Sequence, residues 1–431
     1  MNKGIAFLLL SLFLVVSAFG KGPSDTVSYV RDIAPIIHEK CVVCHHTNGV
    51  GPFSLLNYRD VVNHMDMVES MTQKKLMPPW RADLTKNTFV NQKRLTDEEI
   101  GKIKEWVESG AGYGDTSLQE PKANFKLYHQ IGKPDVVLHF SKHYQMPAGK
   151  DDIYVTYYFP LNNDSAIYVK AYEFMPDNRK IVHHSWIFLE QDTTLTKFKG
   201  KKFGDILTEQ VNAFNIDDSR FYYDNLVYTP GDVPHAYPAG FAEKVKPHTV
   251  IILQIHYNNR GKAEADSSLL NIYLSQKPPK HRVQMLRLNE GYIQNLPFTI
   301  PPDSVKTYFT YLKEFPMDIT LLRVSPHMHF RGKSVYAYAV TPKNDTINLI
   351  SISDWDFIWQ GIYTYEKPLI IPKHSKIYIY STMDNRDSNP NNPFHPPKKS
   401  KWGVRSSDEM CQFLLYYSEY KKGDENIVIK D

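Results

Sequence analysis

Cysteine, net charge and long apolar runs are all scarce in this chain, and each shortage excludes a class of protein. There are three cysteines in 431 residues. Two of them sit in one short motif, so only Cys411 is left over and no intrachain disulfide braces the fold. A formal charge of +4, from 51 basic and 47 acidic residues, is too even to argue for nucleic acid. No glycine-rich phosphate loop, basic helix or repeat period is present. Beyond the first twenty residues, no stretch is apolar enough to cross a bilayer.

The apolar run that does exist is at the start. Lys3 precedes Ile5 to Phe19, and Ala18-Phe19-Gly20 is a small-x-small site. Residues 1–20 therefore read as a secretory signal peptide cleaved after Gly20, with an uncleaved anchor as the alternative. Loss of Lys3 leaves a net charge of +3. The expectation is a periplasmic or otherwise exported bacterial protein with no stable membrane span after cleavage. With 42% hydrophobic residues the chain is long enough for two or three ordinary cores. The 28 tyrosines and 28 prolines, with Val/Ile/Tyr-rich runs between turn residues, point to a β-rich body behind a small helical head.

The head carries Cys41-Val42-Val43-Cys44-His45. Two thiols one helical turn apart are placed to add to the two vinyl groups of a haem, with the next histidine as axial ligand. A zinc half-site would need a second ligand pair nearby and none follows; a thiol redox pair is the other reading. Val30, Ile33, Ile36 and Ile37 recur at helical spacing, and Thr96-Asp97-Glu98-Glu99 is a capping box ahead of Ile100, Ile103 and Val107, with Gly110 as the stop. Between them, Leu76-Met77-Pro78-Pro79-Trp80 holds Met77 on a stiffened backbone, suited to the second axial position. Met65, Met67 and Met71 are rivals, spaced as the buried side of a helix. His38, His46 and His64 read as solvated or core histidines, and Ala111 to Ala123 as a linker. CVVCH, LMPPW and LTDEEIGKIKEWVESGA together resemble the small class I c-type cytochromes, over most of residues 27–115.

In the body, His183-His184, His256 in an apolar strand-like run, Pro326-His327-Met328-His329 and Met410 stand out. Side chains two apart on a strand share a face, so His327 and His329 can grip one ion. Adjacent His183 and His184 would point to opposite faces, and a bulge or strand end is needed to bring both to one metal. Imidazole suits copper and zinc, and a thioether selects Cu(I), so a His-His-Met set favours copper. Gln254, two before His256, is placed to orient that ligand or to serve the sheet. His235, in Pro234-His235-Ala236-Tyr237, is a further histidine that could approach the first copper.

VHHSWIF, LQIHYNN, SPHMHFRGK and SSDEMC, in that order, resemble the type II copper monooxygenases, the peptidylglycine α-hydroxylating and dopamine β-hydroxylating family. The stretch from Trp359-Gln360 to Trp402-Gly403 is similar to bacterial members with a cytochrome ahead of the copper module. The resemblance implies two antiparallel β-sandwich domains of jelly-roll type behind a small all-α cytochrome c domain. The expected layout is signal peptide 1–20, cytochrome c domain 21–115, linker 116–126, first sandwich 127–278 and second sandwich 279–431. One covalent haem c would use Cys41, Cys44, His45 and Met77. Of two copper ions, one would sit on His183, His184 and His256. The catalytic one, which activates O2, would sit on His327, His329 and Met410, the two facing each other across a wet cleft.

The implied activity is hydroxylation of a C–H bond of a small organic substrate, with the haem supplying electrons from an external donor, ascorbate or a redox protein. A non-catalytic electron-transfer or copper-binding protein is the competing expectation. Ser325, Gln412 and Leu414 stand where peptide-amidating members hold the substrate carboxylate, so that clamp is mostly absent. Arg323 shares the histidine face and reads as structural or as a contact for an anion.

Overall fold

The computed structural model describes residues 26–83, 87–122, 131–140, 143–149, 153–191, 223–234, 236–258, 261–403 and 405–429. The expected signal peptide and His235 lie outside the described residues. The described chain is mostly β-sheet, with a few helices near its start.

The head begins with a π-helical turn, Tyr29–Ile33, running into α1 (Ala34–Lys40), then α2 (Tyr58–Val62), α3 (Met65–Gln73) and α4 (Asp97–Glu108). Helix α4 starts where its sequence says it should. The Thr96 hydroxyl accepts from the Glu99 amide (3.1 Å) and the Glu99 carboxylate accepts from the Thr96 amide (2.6 Å). It stops at Gly110, whose φ of +92° is costly for any residue with a Cβ. Ile100, Ile103 and Trp106 face inward against Tyr29, Ile33, Ile37, Val42 and Val61, giving the head a core of its own.

The described part of the expected linker hydrogen-bonds to the head. Tyr29 and Val30 donate backbone hydrogen bonds to Gly112 and Tyr113, the Tyr58 hydroxyl donates to the Ala111 carbonyl, and the Tyr29 hydroxyl donates to Glu120 (2.6 Å). The turn at the start of the head has orphan N–H donors, and this segment satisfies them. Residues 123–130 lie outside the described chain.

A second connection anchors the head to the body. Beyond the helices, residues 80–83 and 87–90 run against the body as an arm. Arg81 pairs with Asp354 and Asp356 (2.7 Å each), the Asp83 carboxylate accepts from the hydroxyls of Ser351 and Ser353, and Val90 donates to the Thr364 carbonyl. Ala82 and Phe89 are buried within the apolar core of the second sandwich. Burying one large apolar side chain such as Phe89 contributes roughly 1.5–3 kcal/mol.

In the body, strands Ile153–Pro160, Thr249–Tyr257, Val182–Gln191 and Tyr223–Tyr228 form one antiparallel sheet in that order. In the second sandwich, Val305–Leu312, Lys376–Asp384, Gly332–Val340 and Thr346–Ile352 do the same. The facing layer is a single eight-stranded sheet shared by both. Its first four strands end at Phe241–Val245, which pairs in parallel with His281–Leu288; Cys411–Glu419, Ile319–Met328 and Tyr363–Ile371 follow. The two sandwiches are thus joined by backbone hydrogen bonds as well as by an apolar cluster that includes Trp186, Tyr237, Leu322 and Leu414.

Candidate metal centres

Cys41, Cys44, His45 and Met77 line one cavity in the head, with Val50, Phe53, Leu55, Val68 and Pro78 among its other walls. The walls are mainly apolar, as a tetrapyrrole face requires. His45 Nδ1 meets the Phe53 carbonyl at 3.1 Å. With the proton on Nδ1, Nε2 carries the lone pair that an iron needs. The tautomer is assigned from that hydrogen bond. Gly51 is required beside this ring, because a Cβ there would lie 2.8 Å from His45 Nδ1. Burial pushes the Cys41 thiol up to about 12 and raises Cys44 as well. A thiol redox pair depends on the opposite shift. These residues fit a thioether-bound haem.

Two other methionines share the cavity, Met67 and Met71. The expectation that Met65, Met67 and Met71 form the buried side of α3 is corrected. Met67 is 53% exposed, and the buried positions are Val68 and Thr72. Among the other head histidines, His64 stacks on Phe53 with ring centroids 4.0 Å apart, and His46 Nδ1 meets the Thr47 carbonyl. Both are satisfied locally.

His183, His184 and His256 form the one group of three or more His, Cys, Asp or Glu among the described residues whose donor atoms all lie within 4.8 Å. Their Nδ1 atoms are 3.0, 3.3 and 3.4 Å apart. Tetrahedral nitrogen ligands at about 2.0 Å from an ion are separated by about 3.3 Å, so the three fit one metal. The backbone explains how neighbours in sequence share a side. Val182 pairs with Tyr257 and His184 with His256, so the register slips at His183 and a bulge turns its ring. Tyr154 stacks flat on His256 at 4.2 Å. Burial holds His184 far below the usual imidazole range, and the neighbouring histidines add to it. A neutral ring is the form that ligates.

His327 lies near the end of the strand Ile319–Met328 and His329 directly follows it, two apart, with ring centroids 5.2 Å apart. Gln360 Oε1 meets His327 Nδ1 at 2.5 Å and leaves Nε2 as the ligating atom. Burial lowers His327 to about 4 and His329 further. His329 Nδ1 is buried with no hydrogen-bond partner among the described residues, the mark of an atom meant for something else. Met328 pairs with Cys411, so the next position along the ladder sets His329 across from Met410. Glu409 holds the two together. One of its oxygens accepts from the His329 amide (2.5 Å) and the Met410 amide (3.0 Å), and the other accepts from the Arg331 amide (2.9 Å). Burial raises the Glu409 carboxyl to about 7, against the pull of those three amides.

The two histidine groups approach a common aromatic ring. The Phe357 ring lies 5.5 Å from His183 and 5.6 Å from His329, so it bridges the two histidine groups. Trp186, two residues after His184, packs edge-on to His327 at 5.8 Å. The spacing of motifs along the chain carries no information on how closely two sandwiches dock.

Several functional residues went unassigned in the sequence. Gln360, Phe357, Glu409 and Arg331 all lie in or beside quoted motifs, but nothing local reveals their partners. Arg331 is fully buried, reaching Asn385 Oδ1 and the Ser407 carbonyl (2.8 and 2.9 Å). The Arg323 guanidinium lies 4.2 Å above the Tyr237 ring of the first sandwich. The Ser325 hydroxyl donates to the Gly361 carbonyl, Leu414 is buried, and Gln412 lies opposite His327 in the ladder. Cys411 is a buried free thiol whose pKa is raised by burial.

Residues 295–426 match the family model described as "Copper type II ascorbate-dependent monooxygenase, C-terminal domain". The matched span contains His327, His329 and Met410, and at family level it supports a copper-dependent monooxygenase that uses O2 and a reductant. No curated protein matches the chain. Among solved structures, that of infectious bursal disease virus, Gx strain, is 8% identical, covering 70% of this chain and 78% of that chain with a TM-score of 0.20. The VP2 subviral particle of the same virus is 10% identical, covering 69% and 75%, with a TM-score of 0.18. At those scores the likenesses carry no argument. Among the described residues, no helix is long and apolar enough to cross a membrane.

Proposed function

We propose that this chain is an exported haem- and copper-dependent monooxygenase that hydroxylates a C–H bond of a small organic substrate with O2, the head delivering electrons to the copper module. The observation that carries the reading is the pairing of two imidazole groups across one phenylalanine ring, inside and beside a span that matches a copper monooxygenase family. The copper ions would supply one-electron redox chemistry toward O2 and the haem would supply electrons.

The chain's own residues do the rest. The bulge at His183 aims three Nδ1 atoms at one point. Gln360 fixes the His327 ring, and Glu409 fixes the backbone of His329 and Met410 to a shared oxygen. Burial keeps these imidazoles neutral, so a metal does not compete with protons for their lone pairs near neutral pH. The thioether of Met410 would favour the cuprous state, and Phe357 and Trp186 pack against the imidazoles of the two groups. In the head, the His45 tautomer and the apolar cavity suit a low-polarity iron site.

The test is O2 uptake by the reduced, metal-loaded protein against a panel of small organic substrates, with products read by mass spectrometry. Met410→Ala is expected to keep its iron and the all-histidine copper and to lose substrate-dependent uptake. A wild-type protein that holds both metals and passes electrons, but never consumes O2 in a substrate-dependent way, would make it an electron carrier.

A further inference from the structure

We infer that Trp359 and Gln360 form the electron bridge from the haem cavity to the copper group at His327. The inference rests on the proposed haem and copper reading. Among the described residues lining the cavity of Cys41, Cys44 and His45, Trp359 is the one contributed by the body. Its covalent neighbour, Gln360, meets His327 Nδ1 at 2.5 Å. A continuous covalent path through the Trp359 backbone and the Gln360 side chain, closed by one hydrogen bond, therefore runs from the cavity wall to a candidate copper ligand. Electron tunnelling decays steeply through empty space and less steeply along bonds, so this path outcompetes a jump between side chains.

The bridge is held rigid from both ends. Phe357–Trp359 is a single 3-10 turn, and the Asp356 side chain caps it by accepting from the Ile358 amide (2.9 Å). The other Asp356 oxygen pairs with Arg81 at 2.7 Å, so the arm leaving Met77 and the two prolines grips the base of the turn. Gln360 Nε2 donates to the Phe357 carbonyl at 3.0 Å, which directs Oε1 at the imidazole. The same turn presents Phe357 to His183 and His329.

In the step itself, one electron leaves ferrous haem, which becomes ferric, and reduces one cupric ion to cuprous. No bond to hydrogen or carbon forms or breaks. An external one-electron reductant restores the haem. Trp359 and Gln360 are positioning residues here, since neither is itself oxidised.

The experiment uses the full chain loaded with haem and copper. Under anaerobic conditions a reductant pulse reduces the haem, and its reoxidation is followed in the visible band while freeze-quenched samples report loss of the Cu(II) resonance. Trp359→Leu is expected to slow this transfer by about tenfold or more. Its haem spectrum, haem potential and static copper resonance should match wild type. Trp359→Phe should restore most of the rate. Ile358→Ala, at an exposed position in the same turn, should leave the rate unchanged. If Trp359→Leu loses metal, Trp359→Met, which fills more of the space without an aromatic ring, is read in its place. Transfer at the wild-type rate in a metal-replete Trp359→Leu or Trp359→Met protein overturns the bridge alone. A wild-type protein with no haem spectrum or no copper resonance overturns the functional reading, and the bridge with it.

Discussion

Removing the Glu409 carboxylate tests whether the candidate catalytic copper group is held by backbone geometry. Glu409 is fully buried and accepts three amide hydrogens, from His329, Met410 and Arg331. In Glu409→Ala those three donors are left without it. Each buried donor stripped of its acceptor costs about 1–3 kcal/mol. The three share one acceptor group, so their costs do not add in full, and about 4 kcal/mol is expected. That is a large part of the roughly 5–15 kcal/mol by which domains are stable. Glu409→Gln is the finer probe. Its amide oxygen can still accept from His329 and Met410, but its NH2 faces the Arg331 N–H, donor against donor, at a cost of about 2 kcal/mol. Urea denaturation of the apoprotein measures both values, and competition with a Cu(I) chelator measures affinity at the His327 group. The alanine variant should lose affinity at that group and retain it at His183, His184 and His256. A Glu409→Ala protein within about 1 kcal/mol of wild type, with unchanged affinity at both groups, would refute the reasoning.

Two further perturbations address the head and the body. Met77→Ala should alter the visible spectrum of the haem and lower its potential, through loss of a thioether ligand; Met71→Ala should not, and the reverse pattern would move the ligand into α3. His281 is buried against Phe241 with its Nε2 3.3 Å from Asp424, and burial still holds its pKa below 6.5. The folded state therefore binds fewer protons than the unfolded one just below pH 6.5, so this contribution is complete above that pH and is lost as pH falls through the folded value. His281→Asn should flatten the acid limb of a stability-against-pH curve by up to about 1.4 kcal/mol per pH unit, and an unchanged slope would remove His281 from the account.

Some of this protein was legible in short windows of residues. The α4 capping box works because its partners are three positions apart, and the stop at Gly110 because a positive φ favours glycine. The shared face of His327 and His329 follows from the period of a strand. The need for a bulge at His183 also followed from that period, and the register slip supplies it. Other features had no such window. Residues 81–83 and 87–90 carry no motif, yet Phe89 is buried in the core of the second sandwich against Tyr363 and Tyr365. The start of the expected linker is fastened to the head by donors of Tyr29, Val30 and Tyr58, partners that no local pattern reveals.

What the sequence determined by itself was chemistry: which side chains can bind a tetrapyrrole or a soft metal, and which local backbone shapes bring neighbours to one face. Those properties depend on residue type and on periods of two to four residues. Only the tertiary structure decided the distances between those groups. The parallel pairing of Phe241–Val245 with His281–Leu288 merges two sandwiches into one sheet. Phe357 then comes to lie between His183 and His329, and Trp359 reaches the cavity of Cys41 and Cys44. Such contacts arise from hydrogen bonds and burial between segments far apart along the chain, and no local pattern encodes them.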